Sequence, residues 1–368
     1  MKMKVVAAAC LTLANLSSAI ADEGVQLYGR VHQAIEKNTS TQVPGSSPII
    51  TDVNSRLGVR GSEDLGGGLN AIFSYEFGVD TDAVNNGATN MNTRHAYVGF
   101  KGKFGTLIVG SQDGGNDSQA PLYTQAVDAI GSVNNNGGAL IVVGVPGSNT
   151  LDSPIERVQR VGNSVGYAGQ FGDYSISARH SLQGTDNANR TRVSSIKENG
   201  IRLTEVTVNL KSGPLTLGVG AGYLDSEEAL KPTPFMAFMA QKSTYQAVAA
   251  YDFGFVRVSG LAAQNRLYGK NPINGNDINR DYALSALVPI TSNQGVLVNV
   301  TDSERNENFA TEQLREYQVS YYYDFSKRTR AYTGLVFGKN ETTAPAFSAL
   351  GSRTDYERKF AAGLRHNF

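Results

Sequence analysis

Residues 215–223, LTLGVGAGY, and residues 317–325, YQVSYYYDF, alternate apolar and polar side chains with a period of two. In the first stretch leucine, valine, alanine and tyrosine occupy the odd positions, whereas threonine and glycine occupy the even ones. This period is typical of β-strands that have one apolar and one polar face. Apolar side chains outside and polar side chains inside are what a membrane-spanning β-barrel around a water-filled lumen requires.

Alternating stretches of this kind follow one another along the whole chain. We predict sixteen strands, at residues 25–37, 51–63, 67–79, 91–103, 105–112, 158–170, 173–183, 200–211, 215–226, 242–253, 255–268, 279–289, 295–303, 313–325, 329–341 and 355–368. Short turns rich in glycine and proline, such as Ser212-Gly213-Pro214, alternate with long polar connections, such as residues 184–199. The pattern predicts an all-β fold, a 16-stranded antiparallel transmembrane β-barrel with its short turns in the periplasm. A soluble β-sandwich is the alternative that periodicity alone leaves open.

The first residues have the features of a secretory signal peptide. Lys2 and Lys4 precede an apolar segment, and Ala19-Ile20-Ala21 forms a small-x-small cleavage site. We therefore expect residues 1–21 to be a signal peptide and residues 22–368 to be the barrel domain. Beyond the leader no stretch approaches the ~18–20 apolar residues of a transmembrane helix.

Composition excludes several classes of function. Lysine plus arginine and aspartate plus glutamate number 33 each, and this balance argues against a nucleic-acid partner, which requires a basic face. The single cysteine, Cys10, lies in the leader, so we expect neither a disulfide nor a thiolate metal site. The four histidines lack metal-ligand spacing, and we predict no catalytic residues, no metal and no cofactor.

The third connection, residues 113–157, is far longer than an ordinary loop. It contains the apolar segment GGALIVVGVPG, which includes Leu140, Ile141, Val142 and Val143. An outward loop would expose these side chains to water. We expect the connection to fold into the barrel, where they would be buried against the wall.

Strand parity places a set of arginines on the lumen face: Arg30, Arg56, Arg60, Arg94 and Arg160. Arg94 is assigned to the lumen because His95, Tyr97 and Gly99 are expected to form the opposite, lipid-facing side of the strand. Glu76 shares the lumen parity of its own strand, and Asp117 and Asp128 belong to the third connection. We expect these groups to form the pore constriction, with a basic wall facing acidic residues of the third loop across a transverse field.

The chain resembles a known family, the general diffusion porins of the Gram-negative outer membrane, and within this family it is most similar to the β-proteobacterial branch. The similar segments are VQLYGRV at 25–31, SRLGVRGSEDLGGGLNAIFSYEFG at 55–78, TRHAYVGFKGKFGTLIVGSQ at 93–112, RVGNSVGY at 160–167 and AGLRHNF at 362–368. The resemblance implies a sixteen-stranded barrel, a homotrimer and a third loop that narrows the pore. It also implies that Arg56, Arg94 and Arg160 belong to the family's basic cluster, and that Glu76 is a wall carboxylate.

The carboxyl terminus ends on an aromatic residue, Phe368, in a strand whose even positions are mostly apolar. In outer-membrane barrels such an end resembles the signal that the assembly machinery reads. Besides that machinery, the expected partners are outer-membrane lipid, lipopolysaccharide and small hydrophilic solutes.

The sequence thus predicts a passive, trimeric outer-membrane channel for small hydrophilic solutes and ions, with a preference for anions. A substrate-specific channel on the same barrel is the first alternative. A barrel hydrolase is another, although no histidine lies in a predicted extracellular loop. A surface barrel that acts through its loops as an adhesin is a third.

Overall fold

The computed structural model describes residues 24–40, 47–53, 55–79, 91–113, 160–181, 202–225, 241–271, 274–307, 310–344 and 352–368. The predicted signal peptide and most of the third connection lie outside these ranges. Among the described residues no helix is long and apolar enough to span a membrane.

The described chain forms a succession of β-strands. They are β1 (Gly24–Ser40), β2 (Ile49–Asp52), β3 (Arg56–Gly66), β4 (Leu69–Val79), β5 (Met91–Gly102), β6 (Gly105–Asp113), β7 (Arg160–Phe171), β8 (Tyr174–Ser181), β9 (Arg202–Ser212), β10 (Leu215–Asp225), β11 (Gln241–Asp252), β12 (Arg257–Leu267), β13 (Ile278–Thr291), β14 (Gln294–Glu307), β15 (Ala310–Asp324), β16 (Thr329–Thr343) and β17 (Arg353–Asn367).

These strands close into one antiparallel barrel. Each strand from β3 to β17 pairs with its sequence neighbour, and β1 pairs with β3 on one side and β17 on the other. The short β2 also pairs with β1, beyond the β3 pairing, so β2 and β3 together form one wall strand interrupted at residues 53–55. The barrel therefore has sixteen strand positions, as the periodicity predicts.

The turns at one end of the barrel are as short as predicted. Only two residues separate β7 from β8 and β9 from β10, and Gly172 and Gly213 take positive φ angles of 59° and 55° there. Glycine adopts this backbone conformation without the steric penalty that a Cβ atom would bring.

At the other end, one connection is shorter than the sequence predicted. The polar segment after residue 303 predicts a loop, yet β14 continues to Glu307 and β15 begins at Ala310. In this region the outward positions carry paired charges instead of apolar residues: Arg315 contacts Asp302 at 2.5 Å and Arg280 contacts Glu304 at 3.6 Å. Strands that rise above the lipid face water on both sides and lose the apolar alternation that marks a strand in sequence.

Side chains alternate across the barrel wall as expected. Apolar and aromatic residues on the outer face remain exposed, among them Leu27, Val31, Val98, Tyr245, Leu284, Val319, Leu335 and Leu364. The inner face is lined mostly by buried polar side chains, among them Ser74, Glu205, Gln246, Asn299 and Gln318. Lipid outside and an aqueous lumen inside account for this inversion of an ordinary soluble core.

The ends of the chain meet where the barrel closes. The Gly29 amide donates a hydrogen bond to the Phe368 carbonyl and the Phe368 amide donates one back, both at 3.1 Å. A Cβ atom at Gly29 would collide with the Phe368 ring and would lie 2.7 Å from the Arg56 carbonyl oxygen. The seam between the first and last strands therefore requires glycine at position 29.

We predict that Gly29→Ala destabilises the folded barrel by about 1–3 kcal/mol, the usual cost of overpacking a tight site. The temperature at which the folded form disappears in detergent, read by heat-modified gel mobility, should fall. Gly260→Ala is the matched control, because its Cβ would meet only the Ala283 carbonyl, at 3.7 Å. Equal unfolding temperatures for the two variants would contradict the steric account of the seam.

Candidate pore-lining site

A buried carboxylate on β4 holds two arginines from the strands on either side of it. Arg94 of β5 donates from Nε to Glu76 Oε1 at 2.6 Å, and Arg56 Nε of β3 lies 3.9 Å from Glu76 Oε2. Glu76 is 4% exposed and Arg94 8% exposed, whereas the Arg56 side chain is less deeply buried. Burial strengthens these interactions, because water screens them only weakly there. The cluster carries one net positive charge.

A register shift brings Arg94 to this cluster. Glu76 pairs with His95, but the next residue, Phe77, pairs with Thr93, so Arg94 is an extra residue in its strand. A β-bulge of this kind re-aims a side chain and breaks the strict alternation of faces. Arg94 therefore contacts Glu76 even though the next residue in the chain, His95, also points inward.

The predicted orientation of the rest of that strand was wrong. His95 lies beside Glu76 and interacts with it electrostatically, so His95 and Tyr97 belong to the lumen face. The lipid face is formed by Val98 and Phe100, which are 61% and 47% exposed. Parity counted from Arg94 fails here because the bulge inserts one residue.

Other predicted arginines lie on the neighbouring strands. Arg60 donates to Gln26 Oε1 at 2.9 Å, and its guanidinium lies 4.7 Å from the centre of the Tyr28 ring. Arg30 donates to Asn367 Oδ1 at 2.9 Å and is the register partner of Arg56. The inner wall of β1 and β3–β5 therefore carries Arg30, Arg56, Arg60 and Arg94.

The other predicted site residues fall outside what the structure describes. Asp117 and Asp128 belong to residues 114–159, and the Arg160 side chain is likewise outside the described part. In the backbone Arg160 pairs with Asp113, beyond a register shift between Gly110 and Gln112. Strict parity counted from Val165 does not hold across such a shift, so the inward orientation of Arg160 stays a prediction.

Further round the wall lies an ion pair whose arginine has the lumen parity of its strand, whereas its glutamate is not predicted from the sequence. Arg179 of β8 contacts Glu205 of β9 at 3.0 Å, and both side chains are almost fully buried. A sequence signal for Glu205 exists, since Val206 and Val208 follow it with lipid-face parity. Arg179 is neutralised by Glu205, so this pair adds no net charge to the lumen.

The chemistry available at this wall is electrostatic. Nowhere in the described part of the chain do three or more histidine, cysteine, aspartate or glutamate side chains meet as a metal site would require. A fixed guanidinium cluster that lines an aqueous lumen attracts anions and orients polar solutes.

Comparison with known proteins agrees with this architecture. Over 341 residues the chain is 27% identical to the major outer membrane protein P.IB of Neisseria gonorrhoeae, covering 87% of this chain and 90% of that protein. It is 24% identical over 297 residues to outer membrane protein U of Vibrio parahaemolyticus, covering 79% and 75%.

Solved structures share the fold at lower identity. The anion-selective porin from Comamonas acidovorans matches with a TM-score of 0.64 and 20% identity, covering 94% of this chain and 100% of that one. OmpF of Salmonella typhi, in complex with daunomycin, matches with a TM-score of 0.65 and 14% identity, covering 94% and 97%.

The family model described as Gram-negative porin matches residues 6–343, which is most of the chain. Its relatives are outer membrane proteins of Gram-negative bacteria, and porins are passive channels, not enzymes. The chain belongs to the Gram-negative porin family and is a β-barrel channel of the outer membrane.

Proposed function

We propose that this porin is a passive, trimeric channel for small hydrophilic solutes that prefers anions. The observation that carries the preference is the cluster of Arg56 and Arg94 around a single buried carboxylate, Glu76. Arg30 and Arg60 add positive charge to the same wall. The anion-selective porin from Comamonas acidovorans, which shares the fold, supports the proposal.

The physical basis of the preference is fixed charge in a confined space. Arginine keeps its proton at any physiological pH, so neighbouring arginines do not discharge each other by deprotonation. Glu76 neutralises one guanidinium, and its partner retains an uncompensated charge. In a narrow lumen such a charge raises the local concentration of anions and lowers that of cations.

The proposal predicts opposite effects for the two halves of the cluster. Replacing Arg56 and Arg94 by glutamine should lower the anion-to-cation permeability ratio, and Glu76→Gln should raise it, because it frees both guanidinium charges. The reversal potential of single channels in a potassium chloride gradient measures this ratio.

Lys270→Gln is the control for this prediction, because Lys270 is an exposed cation after β12, away from the cluster. Its reversal potential should match that of the natural protein. If the arginine and glutamate variants shifted the reversal potential in the same direction, or left it unchanged, the cluster would not set the selectivity.

We further propose that the third connection folds into the barrel, so that Asp117 and Asp128 face the basic wall. Its apolar segment at 140–143 supports this path, because burying an aliphatic side chain stabilises by about 1.5–3 kcal/mol relative to exposing it. The fold shared with solved porins is consistent with such a loop.

Deleting residues 134–146 should then widen the pore. Single-channel conductance should rise, and larger sugars should enter vesicles that contain the variant, as measured by liposome swelling. A matched deletion in residues 184–199, which follow β8, should leave both properties unchanged. Unchanged conductance in a folded 134–146 deletion would rule out the inward path.

We propose that the side of the barrel with the shorter strands forms the trimer interface. The strands β3–β8 are eight to twelve residues long, whereas β13–β17 have fourteen or fifteen. Beside the short strands, β1 exposes Val25 and Leu27, which are 72% and 62% exposed. Contiguous apolar surface of this kind is typical of protein contacts as well as lipid contacts.

We expect a closed ring of three chains that meet along these shorter walls, as in cyclic homo-oligomers. Detergent-corrected light scattering should give the mass of three chains. Replacing Leu27 by lysine should shift the particle to one chain, while the same change at Leu284, on the far wall, should leave the trimer intact. A natural protein that scatters only as a monomer contradicts the proposal.

A further inference from the structure

The bulge on β5 leaves a histidine on the lumen face beside the arginine cluster. His95 is the register partner of Glu76, the carboxylate that Arg56 and Arg94 share. Residues directly opposite each other on one face of an antiparallel pair have their Cβ atoms about 5 Å apart. An ionisable ring therefore lies next to the carboxylate at the centre of the cluster.

The alternation of β5 below the bulge places this ring inside the barrel. Val98 is 61% exposed on the lipid face, so Tyr97 and His95 both belong to the opposite face, and their ring centres are 6.1 Å apart. His95 is only partly buried, so water in the lumen can exchange protons with it. His32, in contrast, is fully buried and bonded to the Tyr332 hydroxyl at 2.8 Å.

Charges of both signs surround His95. The ionisable groups on the strands around it are Glu76 of β4, Arg56 of β3, Arg94 and Tyr97 of β5, and Tyr28 of β1, which interacts electrostatically with Glu76 and Tyr97. The one charged residue in the sequence of β6 is Asp113, which pairs with Arg160 of β7 in the backbone. Glu76 attracts a protonated imidazole ring, whereas Arg56 and Arg94 repel it.

Histidine differs from these neighbours in the pH range where its charge changes. An imidazole ring ordinarily changes charge between about pH 5 and pH 8, whereas arginine stays charged throughout this range. Two guanidinium groups and one carboxylate give the cluster a net charge of plus one. A proton on His95 would raise that charge to plus two.

We propose that His95 is a further selectivity-determining residue, which makes the anion preference of the channel stronger in acid than at neutral pH. The inference rests on the proposed anion preference and adds to the fixed arginine charges one that the surrounding solution can change. It assigns a role to a side chain that strand parity places on the lipid face.

The pH dependence of ion selectivity tests the role of His95. The reversal potential of single channels, in one fixed potassium chloride gradient, is recorded at about pH 7.5, 6.5 and 5.5, which spans the ordinary titration range of histidine. For the natural protein the anion-to-cation permeability ratio should rise about two- to threefold from the highest to the lowest pH. This is the size expected for one added charge a few ångströms from the path of the ions, after screening by the salt.

Two substitutions at position 95 separate the charge of the ring from a structural role. His95→Gln is neutral at every pH, so it should retain the permeability ratio of the natural protein at pH 7.5 and lose the rise in acid. His95→Lys carries a charge throughout, so at pH 7.5 it should already show the ratio that the natural protein reaches at pH 5.5. A ring that only packed against its neighbours would not give these two opposite results.

His180→Gln is the matched control. His180 is exposed on the outer face of β8, where it is bonded to Thr204 Oγ1 at 2.8 Å. It titrates in the same range but faces away from the lumen, so its variant should keep the full rise in acid.

A natural channel with equal permeability ratios at pH 7.5 and pH 5.5, or a rise that persists in His95→Gln, would overturn the role of His95. The ratio of the natural protein at pH 7.5 tests the anion preference separately, because His95 contributes least there. Anion preference at pH 7.5 without a rise in acid would thus refute only the role of His95, whereas cation preference at pH 7.5 would refute the proposed function.

Discussion

Inside a lipid bilayer every backbone N–H and C=O group must find its partner within the protein, because the lipid offers none. A β-sheet satisfies this condition only when it has no edge, so the first and last strands must pair. In this chain β1 pairs with both β3 and β17, and the last residue, Phe368, exchanges backbone hydrogen bonds with Gly29. Closure thus fixes the register of every strand and decides which side chains meet in the lumen.

The closed wall places charges unevenly around the pore. The inner face of β1 and β3–β5 holds four arginines and one buried carboxylate, whereas on β15–β17 basic and acidic side chains pair, as in Arg330–Asp324, Arg353–Asp355 and Lys359–Glu357. Each group on its own resembles a buried ion pair, whose net contribution to stability is small or unfavourable. We propose that their value lies in the field that they create across the lumen, which would sort and orient solutes during passage.

Sequence periodicity was sufficient for the architecture. A period of two, together with short glycine turns, predicted sixteen strand positions and the outward faces of strands such as β10, β11 and β15, because one face must satisfy lipid along its whole length. Where the outer face of a strand no longer contacts lipid, the alternation of apolar and polar residues is lost. The upper parts of β14 and β15 carry charges on their outer face, so the sequence pattern predicts a loop there.

The site was harder to predict than the fold, because side-chain orientation depends on strand registers that differ by one residue. At Arg94 a β-bulge reverses the parity, so His95 and Tyr97 face the lumen instead of the lipid. A similar shift precedes Arg160. Both shifts arise from pairing with the neighbouring strand, and only the second adjoins a strand glycine with a positive φ, Gly110 at 134°. Glu316 and Glu357 flank Gly338 for the same reason: both are its register partners, although they are 41 positions apart in the chain.

The ion selectivity of the natural protein tests most directly whether the arginine wall sets the fixed charge of the lumen. Purified protein in a planar bilayer, held in a potassium chloride gradient, gives the sign and size of the reversal potential. We predict a reversal potential displaced toward the equilibrium potential of chloride. A potential displaced toward that of potassium would contradict the account, because it would mean that the carboxylates, and not Arg56 and Arg94, dominate the pore.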